Sequence, residues 1–315
     1  MISQQVLHSI EEMQSLTPEW SALWRACPSA TPFQSPEWLM PWTRHLFKGG
    51  QILMLTMRDG EDLIGLAPLF CWGTTERTIS FLGAGISDYG DLLFAPGREG
   101  DCVSAVQQFL VDEQANWDVL DLQELRSGSG LLSLQSAKEE CSVCPVLDLQ
   151  TYPESMDSKH KVDVRRAGNK LRKQGDLDFV AAASLDEFFH LYQLRWGTMD
   201  SDLRLFYTDS ASALAGSGLL RLCSIRIAGK AAAAIFAFTA HKTLYCYLSA
   251  FDSAMSKQSP GAVLLGWLID QAISEGMKEV DFLRDNEAYK YLWGARDRIS
   301  YKLHTRNARA LGSAG

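Results

Sequence analysis

The sequence predicts an α/β protein, layered in the α+β manner and built from two copies of one unit. Each unit is a mixed central sheet flanked by helices. Three observations predict this. The 315 residues exceed one ordinary core and suit two domains of roughly 150 residues. The pattern β, α, α, β, β, β, α, β occurs twice in the same order. In each copy a Pro-Gly pair, Pro96-Gly97 or Pro260-Gly261, opens a helix.

Each copy begins with a short β-like run, residues 5–8 or 179–183. Ser9-Ile-Glu-Glu-Met and Ser184-Leu-Asp-Glu-Phe follow as helix starts that lead to Trp20 and Trp196. The serine caps free amides, and the acids sit where the helix dipole favours them. Residues 51–57 and 63–72, joined at Gly60, read as a hairpin, as do 219–227 and 231–240 joined at Gly229-Lys230. A third strand is expected at 77–82 and at 242–248. The helix after the Pro-Gly pair carries Cys102, Val103, Val106, Phe109 and Leu110 on one face. Its counterpart, residues 262–275, is apolar nearly all round and must be covered on two sides, by its own sheet and by the other half. Val119-Leu-Asp-Leu-Gln and Val280-Asp-Phe-Leu-Arg close the copies. The expected division is residues 1–150, a basic connecting helix over 151–176, and 177–315.

Apolar residues make up 46% and charged residues 22%, which is ordinary for a soluble globular chain. No apolar run reaches the ~18 residues that span a bilayer. Residues 1–14 lack a cationic stretch followed by an apolar one, so a cytoplasmic location is expected. Seven cysteines, an odd number, argue against a disulfide framework. Cys141 and Cys144 form a lone C-x-x-C with no second ligand pair, so no metal is expected. They run into Pro145-Val-Leu-Asp-Leu149, a further strand.

Residues 159–173 hold seven Lys/Arg and one acid. That stretch carries +6 of a chain total of −8, so the remainder carries −14. The acidic remainder disfavours general nucleic-acid binding and leaves a local anion site open. Val164, Ala167 and Leu171 at helical spacing, Asp157 or Ser158 as cap and Gly175 as stop define a helix. Its basic faces, with Arg165 and Arg166, are either a solvated linker surface or a cationic wall for a phosphorylated ligand.

The second Pro-Gly loop reads Gln258-Ser259-Pro260-Gly261-Ala262-Val263. It resembles the Gln/Arg-x-x-Gly-x-Gly/Ala loop with which GNAT enzymes hold acyl-coenzyme A, with Val263 in place of the small last residue. Free amides at a helix start meet a diphosphate there, and glycine lets the backbone approach. More of the chain is similar to the CelD-type acetyltransferases of cellulose and exopolysaccharide synthesis, relatives of the FemAB peptidyltransferases. Residues 33–38 (Phe-Gln34-Ser-Pro-Glu-Trp38), 81–83 and Asp88-Tyr89 carry the likeness. So do residues 247–252 (Tyr-Leu-Ser249-Ala250-Phe251-Asp252), 281–284 ending in Arg284, and Glu287-x-Tyr289-Lys290-x-x-Trp293. This resemblance implies acyl transfer from acetyl- or another acyl-coenzyme A to a small-molecule acceptor, a saccharide or amino sugar. It implies thioester contacts at Ser249, Ala250, Phe251, Gln258, Ser259, Gly261 and Ala262. Acceptor contacts are expected at Gln34, Trp38, Asp88, Tyr89, Arg165, Arg166 and Arg284. Two departures stand out. Asp285-Asn286 replaces an expected glycine, and the first copy places Glu99 and Asp101 at its helix start, which would repel a diphosphate.

Acyl transfer needs a base for the acceptor and an acid for the leaving thiolate. Tyr289, just beyond the last strand, is the candidate acid or else a core tyrosine. Asp252 and Glu287 are candidate bases. Lys290 and Arg284 either neutralise the thiolate or pair with those acids. Gly83-x-Gly85 is no dinucleotide loop, no Gly-x-Ser-x-Gly elbow is present, and Asp200-x-Asp202 reads as a solvated turn. Two other readings stand beside the acyltransferase: a FemAB-like transferase using aminoacyl-tRNA, with the basic helix as its contact, and an inactive binding or regulatory protein.

Overall fold

The structure, a computed structural model, describes residues 2–135 and 138–307. In chain order the first repeat comprises β1 (Ile2–Leu7), α1 (Ile10–Ala26), α2 (Pro36–His45), β2 (Gln51–Asp59), β3 (Asp62–Trp72), β4 (Thr78–Phe81), β5 (Leu93–Phe94), α3 (Glu99–Asp112) and β6 (Val119–Arg126). Then come β7 (Glu139–Asp148) and α4 (Ser158–Arg172). The second repeat comprises β8 (Leu177–Val180), α5 (Leu185–Trp196), α6 (Ser201–Gly216), β9 (Leu220–Ile227), β10 (Lys230–Ala240), β11 (Thr243–Phe251), α7 (Pro260–Ser274) and β12 (Glu279–Asp281). It is followed by α8 (Ala288–Leu292) and β13 (Arg296–Arg306). Two compact units result. One holds the described residues up to Ser142 together with those from Ile299 onward, and the other is Val143–Arg298. These units run differently from a division at 150 and 176: residues 143–150 fall in the second, and the chain from Ile299 on falls in the first.

In the first unit the sheet order is β1-β2-β3-β4-β6-β13, with β5 beside β3. All pairs are antiparallel except β4 with β6. Helix α1 begins with a full capping box between Ser9 and Glu12 and buries Met13, Leu16, Trp20, Leu23 and Trp24. Its tryptophans are satisfied as burial requires: Trp20 donates to the Gln34 carbonyl at 2.9 Å and Trp24 to the Thr31 carbonyl at 2.7 Å.

In the second unit the order is β8-β9-β10-β11-β12-β7, antiparallel apart from β11 with β12. Side chains of β10 alternate between two cores. Ala233, Ile235 and Ala237 join the cluster under α7 with Leu264, Leu268 and Ile269. Phe236 and Phe238 face the other way, into an aromatic group with Phe188, Tyr207 and Tyr247. The two units thus share element order, strand order and the position of the one parallel pair between repeat strands, as duplication requires. Each sheet is completed by the strand that follows the other repeat in sequence, β13 in the first unit and β7 in the second.

The expected covering of α7 needs one correction. Its second side is covered within its own unit by the basic helix α4. A Cβ at Gly266 would meet Val164 at 3.7 Å and the Trp293 ring at 3.2 Å, and one at Gly168 would meet Val263 at 3.8 Å. The apolar stripe of α4, with Leu171 fully buried, therefore seals α7 while its basic faces stay outside. Asp200 and Asp202 are also corrected. They form the start of α6, Asp200 capping the Asp202 and Leu203 amides at 2.9 and 3.2 Å.

Candidate active site

Strands β11 and β12 run parallel only from Thr243/Glu279 to Tyr245/Asp281. Beyond that point β11 continues to Phe251, while the chain after Asp281 turns away. The register of β10 against β11 slips at the same level: Phe236 faces Leu248 and Ala237 faces Cys246, leaving Tyr247 as an extra residue. Such a bulge twists and bends its strand. A wedge therefore opens along residues 246–251.

The next segment aims a helix start at this wedge. Asp252 caps the turn Ser253–Gln258 by accepting from the Ala254 amide at 2.9 Å. Ser259 then adopts a left-handed conformation, φ 52°, and Pro260 opens α7. The Val263 amide bonds to the Ser259 carbonyl at 3.3 Å, and the Ser259 side chain makes no cap bond. The Gly261 and Ala262 amides find no partner among the described residues. A Cβ at Gly261 would touch only Phe251, at 3.8 Å, so this glycine leaves open space beside the amides. No acid stands in the first turn. Nearby, the Gln258 side-chain oxygen is buried without a partner. Such a start suits an anion of the diphosphate kind. The first unit differs at the corresponding helix: Glu99 accepts from the Gly130 amide at 3.0 Å and Asp101 from Arg98 Nε at 2.6 Å.

Beyond β12, Asp281 is fully buried, accepts from the Leu283 amide at 2.8 Å and pairs with Arg298 at 3.3 Å. Leu283 and Asp285 are left-handed, φ 59° and 77°. Asp285 occupies a conformation that suits glycine, which explains why glycine is expected there. Lys290 holds this strained loop. Its ammonium, on a residue 2% exposed, donates to the carbonyls of Leu283, Arg284 and Asp285 at 3.2, 2.6 and 2.7 Å and pairs with Glu287 at 2.7 Å. It has no proton left for a thiolate.

Tyr289 is 43% exposed, and its hydroxyl has no hydrogen-bond partner among the described residues, which removes the core reading. Desolvation first, then the Glu287 charge, push its phenol above the ordinary value. It therefore stays protonated at neutral pH. Burial likewise pushes the Cys246 thiol up to about 12, so it stays a thiol.

The remaining expected residues separate into two groups. Arg165 and Arg166 lie on the exposed face of α4, Arg166 paired with Asp163 at 3.7 Å. Arg284 is half-buried beside the Lys290 clamp. Gln34, Trp38 and Tyr89 belong instead to the core of the first unit, at 2%, 0% and 2% exposure. Gln34 accepts from the Thr31 amide and hydroxyl, both at 2.8 Å, and donates to the Tyr89 carbonyl at 3.0 Å; Trp38 donates to Ser87 at 3.0 Å. Asp88 is buried beside them. Gln34 and Trp38 pin the 83–90 loop; as acceptor contacts all four are withdrawn, because they are buried in the core of the first unit.

One residue was not foreseen. The Arg195 guanidinium, near the end of α5, stacks over Phe251 at 4.3 Å and Trp196 at 4.4 Å and donates to the Ser249 carbonyl at 3.4 Å. Tyr289 and Glu287 act on it electrostatically. It thus ties β11 to the Tyr289 side of the wedge. The Arg195-Trp196 pair in the sequence carries no signal of this, because the partners come from distant segments.

Residues 158–291 match the family model Acetyltransf_6, described as an acetyltransferase (GNAT) domain. No curated protein matches the sequence. Among solved structures, the crystal structure of FemX is similar at TM-score 0.69 and 11% identity, covering 99% of this chain and 99% of that one. The L-PGS structure from Bacillus licheniformis is similar at TM-score 0.56 and 11% identity over 80% and 83% of the two chains. A tandem GNAT protein of the clavulanic acid pathway gives TM-score 0.53 and 13% identity over 98% and 99%. These likenesses concern the fold.

Proposed function

We propose that this chain is an acyl-coenzyme A-dependent N- or O-acyltransferase. Its thioester site would lie in the second unit, and its acceptor would be a saccharide or amino-sugar precursor of a cell-surface polysaccharide. The observation that carries this reading is the wedge between β11 and β12 with two unpaired amides of α7 beside it. The Gly261 and Ala262 amides would hold the diphosphate, and residues 249–251 would run along the thioester arm. The acceptor nitrogen or oxygen attacks the thioester carbon, the C–S bond breaks, and Tyr289 gives its proton to the leaving sulfur. Glu287, 52% exposed, is the carboxylate placed to take the acceptor's proton, through its free edge or through water. Asp252 is committed to its cap and serves by placing α7. The acids that hold the start of α3 support a first unit without a thioester site of its own.

A second reading, transfer from aminoacyl-tRNA, is favoured by the exposed cations of α4. Native mass spectrometry of freshly purified protein separates the two. Retained coenzyme A supports the first, and co-purifying RNA lost steeply with salt supports the second. No helix among the described residues is long and apolar enough to cross a membrane. The cytoplasm is the proposed location.

A further inference from the structure

We propose that Arg195 is the anchor for an anionic group on the acceptor, so that the acceptor of this site is a carboxylate- or phosphate-bearing molecule. This rests on the acyltransferase reading only in taking the wedge as the reacting centre. Most arginines that flank the sheets of the second unit meet carboxylates: Arg221 pairs with Glu275 at 3.0 Å, Arg226 with Glu187 at 2.8 Å and Arg298 with Glu279 at 2.8 Å. Arg195 has no carboxylate within pairing distance among the described residues, although it is half-buried. Its one hydrogen bond, to the Ser249 carbonyl at 3.4 Å, occupies a single N–H of five.

Two rings hold the plane of the guanidinium, Phe251 at 4.3 Å and Trp196 at 4.4 Å, so its donor fork is fixed before a ligand arrives. The bond to Ser249 and the stack on Phe251 set Arg195 against the 249–251 segment, which is the proposed course of the thioester arm. The Glu287 carboxylate, on Lys290 at 2.7 Å, acts on Arg195 through its charge but does not pair with it. Burial lowers the Arg195 pKa, the mark of a cation stripped of water without full repayment in bonds. Trp196, 59% exposed, flanks the fork and offers a surface for the body of the same molecule.

The test uses matched acceptors that differ by one anionic group: glycine against glycinamide, and glucosamine 6-phosphate against glucosamine. Saturation-transfer NMR on the full chain measures their binding and needs no thioester. At least one member that carries the carboxylate or phosphate is expected to bind about tenfold more tightly than its twin without it, as one charge-assisted fork contact gives. Arg195→Gln is expected to abolish the preference and Arg195→Lys to keep part of it, with melting curves showing that both variants fold. The carboxylate and phosphate pairs tell which anion the fork prefers. Absent preference in the wild type, or preference retained in Arg195→Gln, overturns the proposal. Coenzyme A binding is read separately by calorimetry, so loss of the acyltransferase reading is distinguishable from loss of this one.

Discussion

The Lys290 ammonium lies 2.7 Å from the Glu287 carboxylate and reaches three carbonyls of the loop after β12. The lysine is buried and the glutamate is 52% exposed, so the two ends of this pair are unequal. Lys290→Met leaves three carbonyls unpaired and is expected to cost about 3 kcal/mol. Glu287→Gln removes only an exposed partner and is expected to cost under about 1 kcal/mol. Urea unfolding of both variants checks this. Equal losses would show that the loop does not depend on the lysine.

A buried acid in the first unit gives a pH prediction. Asp91 accepts from the Leu92 amide and the Ser129 hydroxyl, both at 2.8 Å, and burial raises its pKa to about 6. A carboxyl raised above its unfolded value binds more protons when folded. Its contribution is complete below pH ~4 and is lost as pH rises through 6, by about 2–3 kcal/mol. Asp91→Asn is expected to remove this loss and to gain stability over wild type at pH 7.5 but not at pH 4. Parallel unfolding profiles for the two proteins across that range would contradict the assignment.

Much of the fold was legible because turn chemistry is local. Gly60, Gly229 and the two Pro-Gly pairs mark the same joints in both repeats, and Ser9 and Ser184 cap their helices as expected. The exchange of β7 and β13 between units was not legible, since either strand has the same alternating pattern whichever sheet it joins. The α7 loop was readable because helix-start chemistry needs only consecutive residues. Gln34, Trp38 and Tyr89 misled, because a polar-aromatic motif looks the same whether it lines a cleft or closes a core. Arg195 was missed for the opposite reason: its meaning lies in contacts with Phe251 and Ser249, which come from a distant segment.

Tyr289 separates chemistry from stability. Its hydroxyl makes no hydrogen bond inside the fold, so Tyr289→Phe is expected to leave the melting temperature unchanged. Turnover is expected to drop by ~10²–10⁴-fold, as for loss of a positioned general acid. Thiol release from acetyl-coenzyme A and a melting curve on the same preparation check both. Normal turnover would remove Tyr289 from the mechanism and leave water or the acceptor itself to protonate the thiolate.

The start of α7 is proposed to hold the diphosphate of an acyl-coenzyme A. Space beside Gly261 is open apart from Phe251 at 3.8 Å, so size and charge can be varied separately there. The most direct measurement is calorimetric titration of acetyl-coenzyme A into wild type, Gly261→Ala and Gly261→Asp. Saturable binding to wild type is expected, with binding to the alanine variant within about threefold of it and at least about a hundredfold weakening in the aspartate variant, where a new anion faces the free amides. Wild-type binding that the aspartate variant leaves unchanged, or no binding to wild type at all, would contradict it.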